Sequence, residues 1–487
     1  MTRRVAVKQE QGVVMVLVIL GLVLVTLLAA YLIDRVTGEQ SRSSTARSRE
    51  ASFAAAEAGV DDYISKLVED HSYYLHRVHP NEATRYVLPG GPTVAGSAGG
   101  TVWNYGLNWS YANGSTNGWG SCTWKTLPNN YQYCLEITPP GPGSQTVTID
   151  ASGRYQNDTN TANWRTVQAF VRPSSIADFQ RIVDGDVAWG AGANTYGKLY
   201  ANGNISHDGT AYASIYAQGT ISGSVSLQNG AQRYDSTTNP SFNSVFPTPI
   251  NFANLLVSIV DVQRAASIAP ANYYDDATKA AWRLKFYANG TYDVQSCTLS
   301  GGNAPENVAP VCGAAANHPV PVNGAIYTGQ TAIVLGTVNG RVTVASNDDI
   351  IIENNINYND GGNGVYNSTA NTDPSTGHFQ HADDVLGLVA KNNVIVAAYA
   401  PATLTWIAAV LAQSGTWYGA GGSHGSSSVM NWIGSSTTKD GGSFSGQYNT
   451  RNYGYDQSLL YLPPPWFPQV SNSYTVQVFR ELAPGGS

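Results

Sequence analysis

Between Val13 and Ile33 the chain runs for 21 residues with no charge and a single polar side chain, Thr26. At about 1.5 Å per residue, a helix of that length covers roughly the 30 Å of a bilayer core. The run therefore predicts a transmembrane helix at 13–33. Arg3, Arg4 and Lys8 precede it, which keeps the N-terminus cytoplasmic and sends the rest of the chain outside. The helical text continues beyond Ile33. The first proline is Pro80, and Phe53, Ala56, Val60, Ile64 and Leu67 recur at steps of three and four, so they share one helix face. The reading is one long helix over 13–70, transmembrane then amphipathic, with a bend or loosening expected in the polar stretch 34–50.

The rest of the chain differs in character. Charged residues are 12% of the 487, against 50 glycines and 29 tyrosines, a balance that suits a β-rich extracytoplasmic protein. Residues 1–70 hold 8 of the 26 basic and 9 of the 33 acidic residues, leaving 18 and 24 behind them. An acidic head argues against a protein built mainly to hold nucleic acid. Four cysteines fall as two close pairs, Cys122 with Cys134 and Cys297 with Cys312, which predicts two local disulfides and an oxidising compartment.

The short basic leader ending in Gly12, the apolar helix starting at Val13 and the run Ala54-Ala55-Ala56-Glu57-Ala58-Gly59 resemble the N-terminal segment of PilX-type proteins, minor components of type IV pili. The later segments 383–396, 411–417 and 453–468 resemble the C-terminal halves of large PilX-like proteins, and competence minor pilins of thermophiles have a similar organisation. The resemblance implies cleavage between Gly12 and Val13 by a prepilin peptidase. It also implies helix packing through Leu17, Phe53, Glu57, Val60, Ile64 and Leu67. The partners it implies are membrane lipid before assembly, then other pilin-like subunits and inner-membrane assembly proteins. Most pilins carry glutamate at the fifth mature position, where this chain has Leu17; a subunit at a fibre tip has no neighbour for that carboxylate to meet.

Behind the helix, 71–185 reads as a small pilin-like antiparallel region with strands at 131–138, 146–155 and 165–172. A repeat follows: Lys198–Ser206 matches Ser214–Ser222 at a spacing of 16, the mark of stacked rungs in a β-solenoid. That head is expected over 186–468, with an insertion at 250–322 holding a helix (252–266) and a hairpin turning at Asn289-Gly290. Asn354, Asn355 and Asn357 are candidates for side-chain ladders. A final strand in 469–487 returns to the first sheet. The expected class is thus mainly β: long N-terminal transmembrane and amphipathic helix, small antiparallel sheet, β-solenoid head.

Chemistry is sparse. Asp348-Asp349 and Asp383-Asp384 are adjacent pairs whose side chains point to opposite faces of a strand, and Asp at solenoid corners serves turns. His378, His381 and Asp383 have metal-like spacing in loop text with little preorganisation. No cofactor, no metal and no enzymatic activity is expected. Trp103, Trp109, Trp119, Trp124, Trp417 and Trp432 stand in polar, glycine-rich text and are candidates for stacking on a surface glycan or on DNA, although burial under loops outweighs that reading. The function expected is a non-enzymatic minor pilin-like subunit, single-pass in the cell membrane before assembly and at the cell surface after it. The alternatives are a DNA receptor of a competence pilus and a membrane-anchored carbohydrate-binding or carbohydrate-active protein.

Overall fold

The structure, a computed structural model, describes residues 7–69, 124–138, 140, 146–156, 158–235, 249–252, 255, 257–268, 270–359, 384–460 and 463–482. Helix α1 (Val7–Glu69) runs as one element through 34–50, where a bend was expected. Its C-terminal half lies on a sheet of Tyr131–Thr138, Val147–Tyr155, Arg165–Ser175 and Gln469–Leu482, antiparallel at every step. Ala56, Val60, Tyr63 and Leu67 are buried against Tyr133, Leu135, Ile149, Ala169 and Val171 of that sheet. Small residues let α1 approach closely. A Cβ on Gly59 would lie 2.7 Å from the Tyr133 ring, and one on Gly153 would lie 1.9 Å from the Ser52 backbone oxygen.

The expected class needs correction at α1. The longest uncharged stretch of the helix with every side chain described is Leu17–Ile33, 17 residues, which is about 25 Å against roughly 30 Å of bilayer core. Among the described residues no helix is long and apolar enough to cross a membrane, so the transmembrane segment 13–33 is withdrawn from the fold class. Mainly β stands.

On the first sheet, Glu136 faces Asp150 directly across two strands. Burial, then the Asp150 charge, pushes Glu136 up to about 7 from an ordinary 4.5. A carboxyl raised in the folded state stabilises fully below its unfolded value and loses that contribution as pH rises through the folded one. Stability should therefore fall between about pH 4.5 and 7. Glu136→Gln should remove that fall, gaining about 1 kcal/mol at pH 8 after allowance for screening of this half-exposed group, and nothing at pH 4. Denaturant titrations at the two pH values would show it.

Past Ser175 the chain enters a wall of parallel strands at its middle. Phe179–Val183 pairs on one edge with Lys198–Ala201 and on the other with Val429–Thr438. Towards one end the wall continues through Ile215–Ala217 to Arg233–Asp235. Towards the other it passes through Thr403–Ala412, Val385–Ala390, Arg341–Ser346 and Ala325–Thr328 to Tyr273–Tyr274. The chain thus coils outward from Phe179, crosses to the far end, and coils back until Ser436 meets Arg181. The hydrogen-bonded order of this sheet closes on itself.

The crossing is made over the outside of the wall. Ile250 exchanges two hydrogen bonds with the Asn202 side chain. Helix α2 (Val257–Ile268) then buries Ile259, Val262, Ala265 and Ala266 against Tyr327, Ala345, Val385 and Val389. Of the segment expected as an insertion, 250–322, the described residues of 250–268 form a strap over the wall's outer face, while Ala281–Tyr287 pairs in parallel with Thr331–Val338.

The 16-residue repeat has the register it suggests. Leu199, Tyr200 and Ala201 pair with Ile215, Tyr216 and Ala217, and Ile205 pairs with Ile221, all in parallel. Leu199, Ala201, Ile205, Ile215 and Ala217 point into one core, while Tyr200 and Tyr216 join the outer one. Corner side chains link the turns: Asp186 Oδ1 accepts from the Asn204 backbone, and Asn204 Oδ1 accepts from Thr220.

The hairpin at Asn289-Gly290 is present, pairing Ala281–Tyr287 with Thr291–Thr298, with Gly290 at φ 77°. Cys297 and Cys312 form a disulfide on adjacent antiparallel strands. Cys134 is disulfide-bonded too; its expected partner Cys122 lies outside the described residues.

Candidate functional site

Along the inward side of the wall the facing residues are Ile326, Val344, Leu388, Val410, Ser436, Arg181, Leu199 and Ile215. The apolar ladder breaks at Ser436 and Arg181, where the two coils meet. There the interior opens into a cleft of about 950 Å³ between residues 186–196 of the first coil and the last turns of the second.

Arg181 forms its floor and is 6% exposed. Its guanidinium lies 4.5 Å from the Trp417 ring centre and 6.0 Å from that of Trp189, so cation–π attraction offsets part of its desolvation. Burial draws its pKa down to about 10, which leaves it cationic at neutral pH. The buried Nε of Arg181 and the indole N–H groups of Trp189 and Trp417 have no hydrogen-bond partner among the described residues.

The rim is aromatic and amide-bearing. Trp189 stacks one face on His207, at 6.0 Å, and meets Tyr453 edge-on. Asn452 donates to Asn431, Asn431 donates to Thr405, and the Thr405 backbone donates to Asn355. Of the asparagines proposed for ladders, Asn355 thus joins one that runs into the cleft through Asn431 and Asn452. Asp186 on the rim is engaged with Asn204. Arg451 directs Nη1 to the carbonyls of Tyr448 and Asn449.

The residues singled out in the sequence fall in several places. On α1, Val60 and Leu67 are buried, Phe53, Glu57 and Ile64 are half-buried, and Leu17 is 64% exposed. Gly12 and Val13 are described as helix backbone alone, and His378, His381, Asp383, Trp103, Trp109 and Trp119 lie outside the described residues. Trp417 and Trp432 are core residues, packed with Trp406 and Phe444, though Trp417 also lines the cleft. Trp124 holds the Arg154 guanidinium 3.8 Å above its ring. Asp348 and Asp349 accept from Asn392 and Asn393 one turn on, which is corner chemistry. Among the described residues no group of acidic, His or Cys side chains is placed to hold a metal. Sequence reasoning passed over Arg181 and Trp189. The available signal was an arginine inside the apolar strand Phe-Gln-Arg-Ile-Val.

No family model and no curated protein matches the chain. Among solved structures, the competence-associated pilin ComZ from Thermus thermophilus is similar at 13% identity over 89% of this chain and 97% of that one, with a TM-score of 0.26. At that score the likeness carries no argument for function.

Proposed function

We propose that this chain is a non-enzymatic, pilin-like minor subunit of a type IV pilus system, with a β-solenoid head presented outside the cell for adhesion or pilus biogenesis. One observation carries the reading. The C-terminal half of α1 is embedded in an antiparallel sheet that the last strand of the chain completes. By contrast, the described large apolar side chains of the same helix between Met15 and Ile33 are 51–66% exposed. An apolar surface of that extent requires a cover, and helices of neighbouring subunits in a fibre supply one. The Gly12–Val13 junction and its prepilin peptidase belong to this reading, as do inner-membrane assembly proteins as partners. An extracytoplasmic location fits the Cys297–Cys312 disulfide, and the parallel coils support a solenoid head.

Leu17 in place of a carboxylate, together with so large a head, points to a rare subunit at fibre ends. Purified fibres should contain a few copies per fibre by quantitative mass spectrometry, beginning at Val13, with antibody against the head at the ends. A chain that retains Met1, or that equals the main subunit in amount along the shaft, would overturn this reading. A DNA receptor and a carbohydrate-binding protein remain the alternatives, and the cleft bears on both.

A further inference from the structure

We infer that the cleft binds an acidic saccharide, with a hexuronate carboxylate on Arg181 and sugar rings lying against Trp189 and Tyr453. The inference is independent of how the subunit is assembled. Arg181 makes no ion pair among the described residues, and Asp186, the carboxylate on the rim, is turned to Asn204. A buried cation with no counter-anion among the described residues is costly by several kcal/mol. A planar carboxylate can accept two parallel hydrogen bonds from a guanidinium and relieve that cost.

Around the cation stand the groups that a sugar needs. The indole N–H groups of Trp189 and Trp417, buried beside it, have no partner among the described residues. Asn431 and Asn452 offer amides on one side, and Trp189 and Tyr453 present half-buried rings. Glycines 190, 192, 441 and 442 line the cleft, so backbone is accessible to hydroxyl groups. A few polar groups in an otherwise aromatic concavity is the usual make-up of a small-ligand site.

A nucleic acid fits this chemistry less well. Duplex binding draws on a row of cations along successive phosphates. Among the described residues this cleft offers the cations Arg181 and Arg451, the second already committed to carbonyls, on a head with 18 basic and 24 acidic residues. One buried cation matches one carboxylate per ring.

The test uses the full chain in detergent and a short oligogalacturonate, followed by calorimetry and tryptophan fluorescence. The same oligomer with its carboxyls reduced should bind about 10- to 100-fold more weakly, the factor for one charge-assisted contact. Arg181→Met should abolish that preference without lowering the melting temperature, because it removes an unpaired buried charge. Trp189→Ala should weaken both oligomers by a similar factor and serves if Arg181→Met fails to fold. Equal affinity for the two oligomers, unchanged binding by Arg181→Met, or no saturable binding would overturn the assignment. So would binding of duplex DNA alone, weakening steeply with salt.

Discussion

Gly153→Ala should loosen α1 from its sheet at a cost of about 3 kcal/mol, the upper range for overpacking a well-packed interior. The added methyl would sit 1.9 Å from the Ser52 oxygen and 2.8 Å from the Ala56 nitrogen. Both are backbone atoms of α1, so no side-chain rotation relieves the overlap and the helix must move as a body. Two other glycines calibrate the effect. At Gly59 the methyl would meet the Tyr133 and Leu135 side chains, which can shift, so the loss should be smaller. At Gly21 nothing lies within 4 Å, and alanine should be neutral or slightly stabilising through helix propensity. Hydrogen exchange over residues 50–69 of the full chain should rank the variants in that order. If Gly153→Ala leaves exchange and melting as in wild type, the close approach is not what seats the helix.

That contact also shows what could be read from residue order alone. The stripe through Val60 and Leu67 carries helix period in the sequence, and the strand at Tyr131–Thr138 carries period two, so both were legible. The 16-residue repeat set its own register, because a one-residue slip would have turned Leu199 and Ile215 out of the core. Three features were not legible. The chain enters the wall in its middle because Arg181 pairs with Ser436, a contact across some 255 residues that no local pattern encodes. Residues 250–268 read as an interruption because a strap and an insertion share one sequence signature. An irregular register between Phe179 and Arg181 hides the arginine's inward position from any count of alternation. For Trp417 and Trp432 burial outweighed stacking on a ligand, and both are buried; Gly442 lies close against Trp417, which shows a glycine-rich turn packing on an indole.

Arg172→Ala should cost about 3–5 kcal/mol, the range for breaking one side of a buried ion pair. Arg172 is 1% exposed and stands where the first sheet meets the parallel wall. It donates to the Pro173 carbonyl, to both oxygens of Asp178, and to the carbonyls of Leu459 and Leu460. Asp178 in turn accepts from the Ser175 backbone, so one cation ties the strand leaving the sheet to the returning end of the head. Without it, Asp178 and three carbonyls lose a donor. The pH dependence separates lost charge from lost packing. Burial already raises the Asp178 carboxyl, with Arg172 opposing that rise; removing the arginine raises it further. A raised carboxyl withdraws stability as pH climbs, so the variant's deficit should be greatest at neutral pH and shrink as acid protonates Asp178. Arg172→Met should show the same trend with less loss of packing, and a cycle with Asp178→Asn should give a coupling of about 2 kcal/mol. A deficit that is flat from pH 4 to 8, with additive single effects, would mean that Arg172 serves the joint as bulk alone.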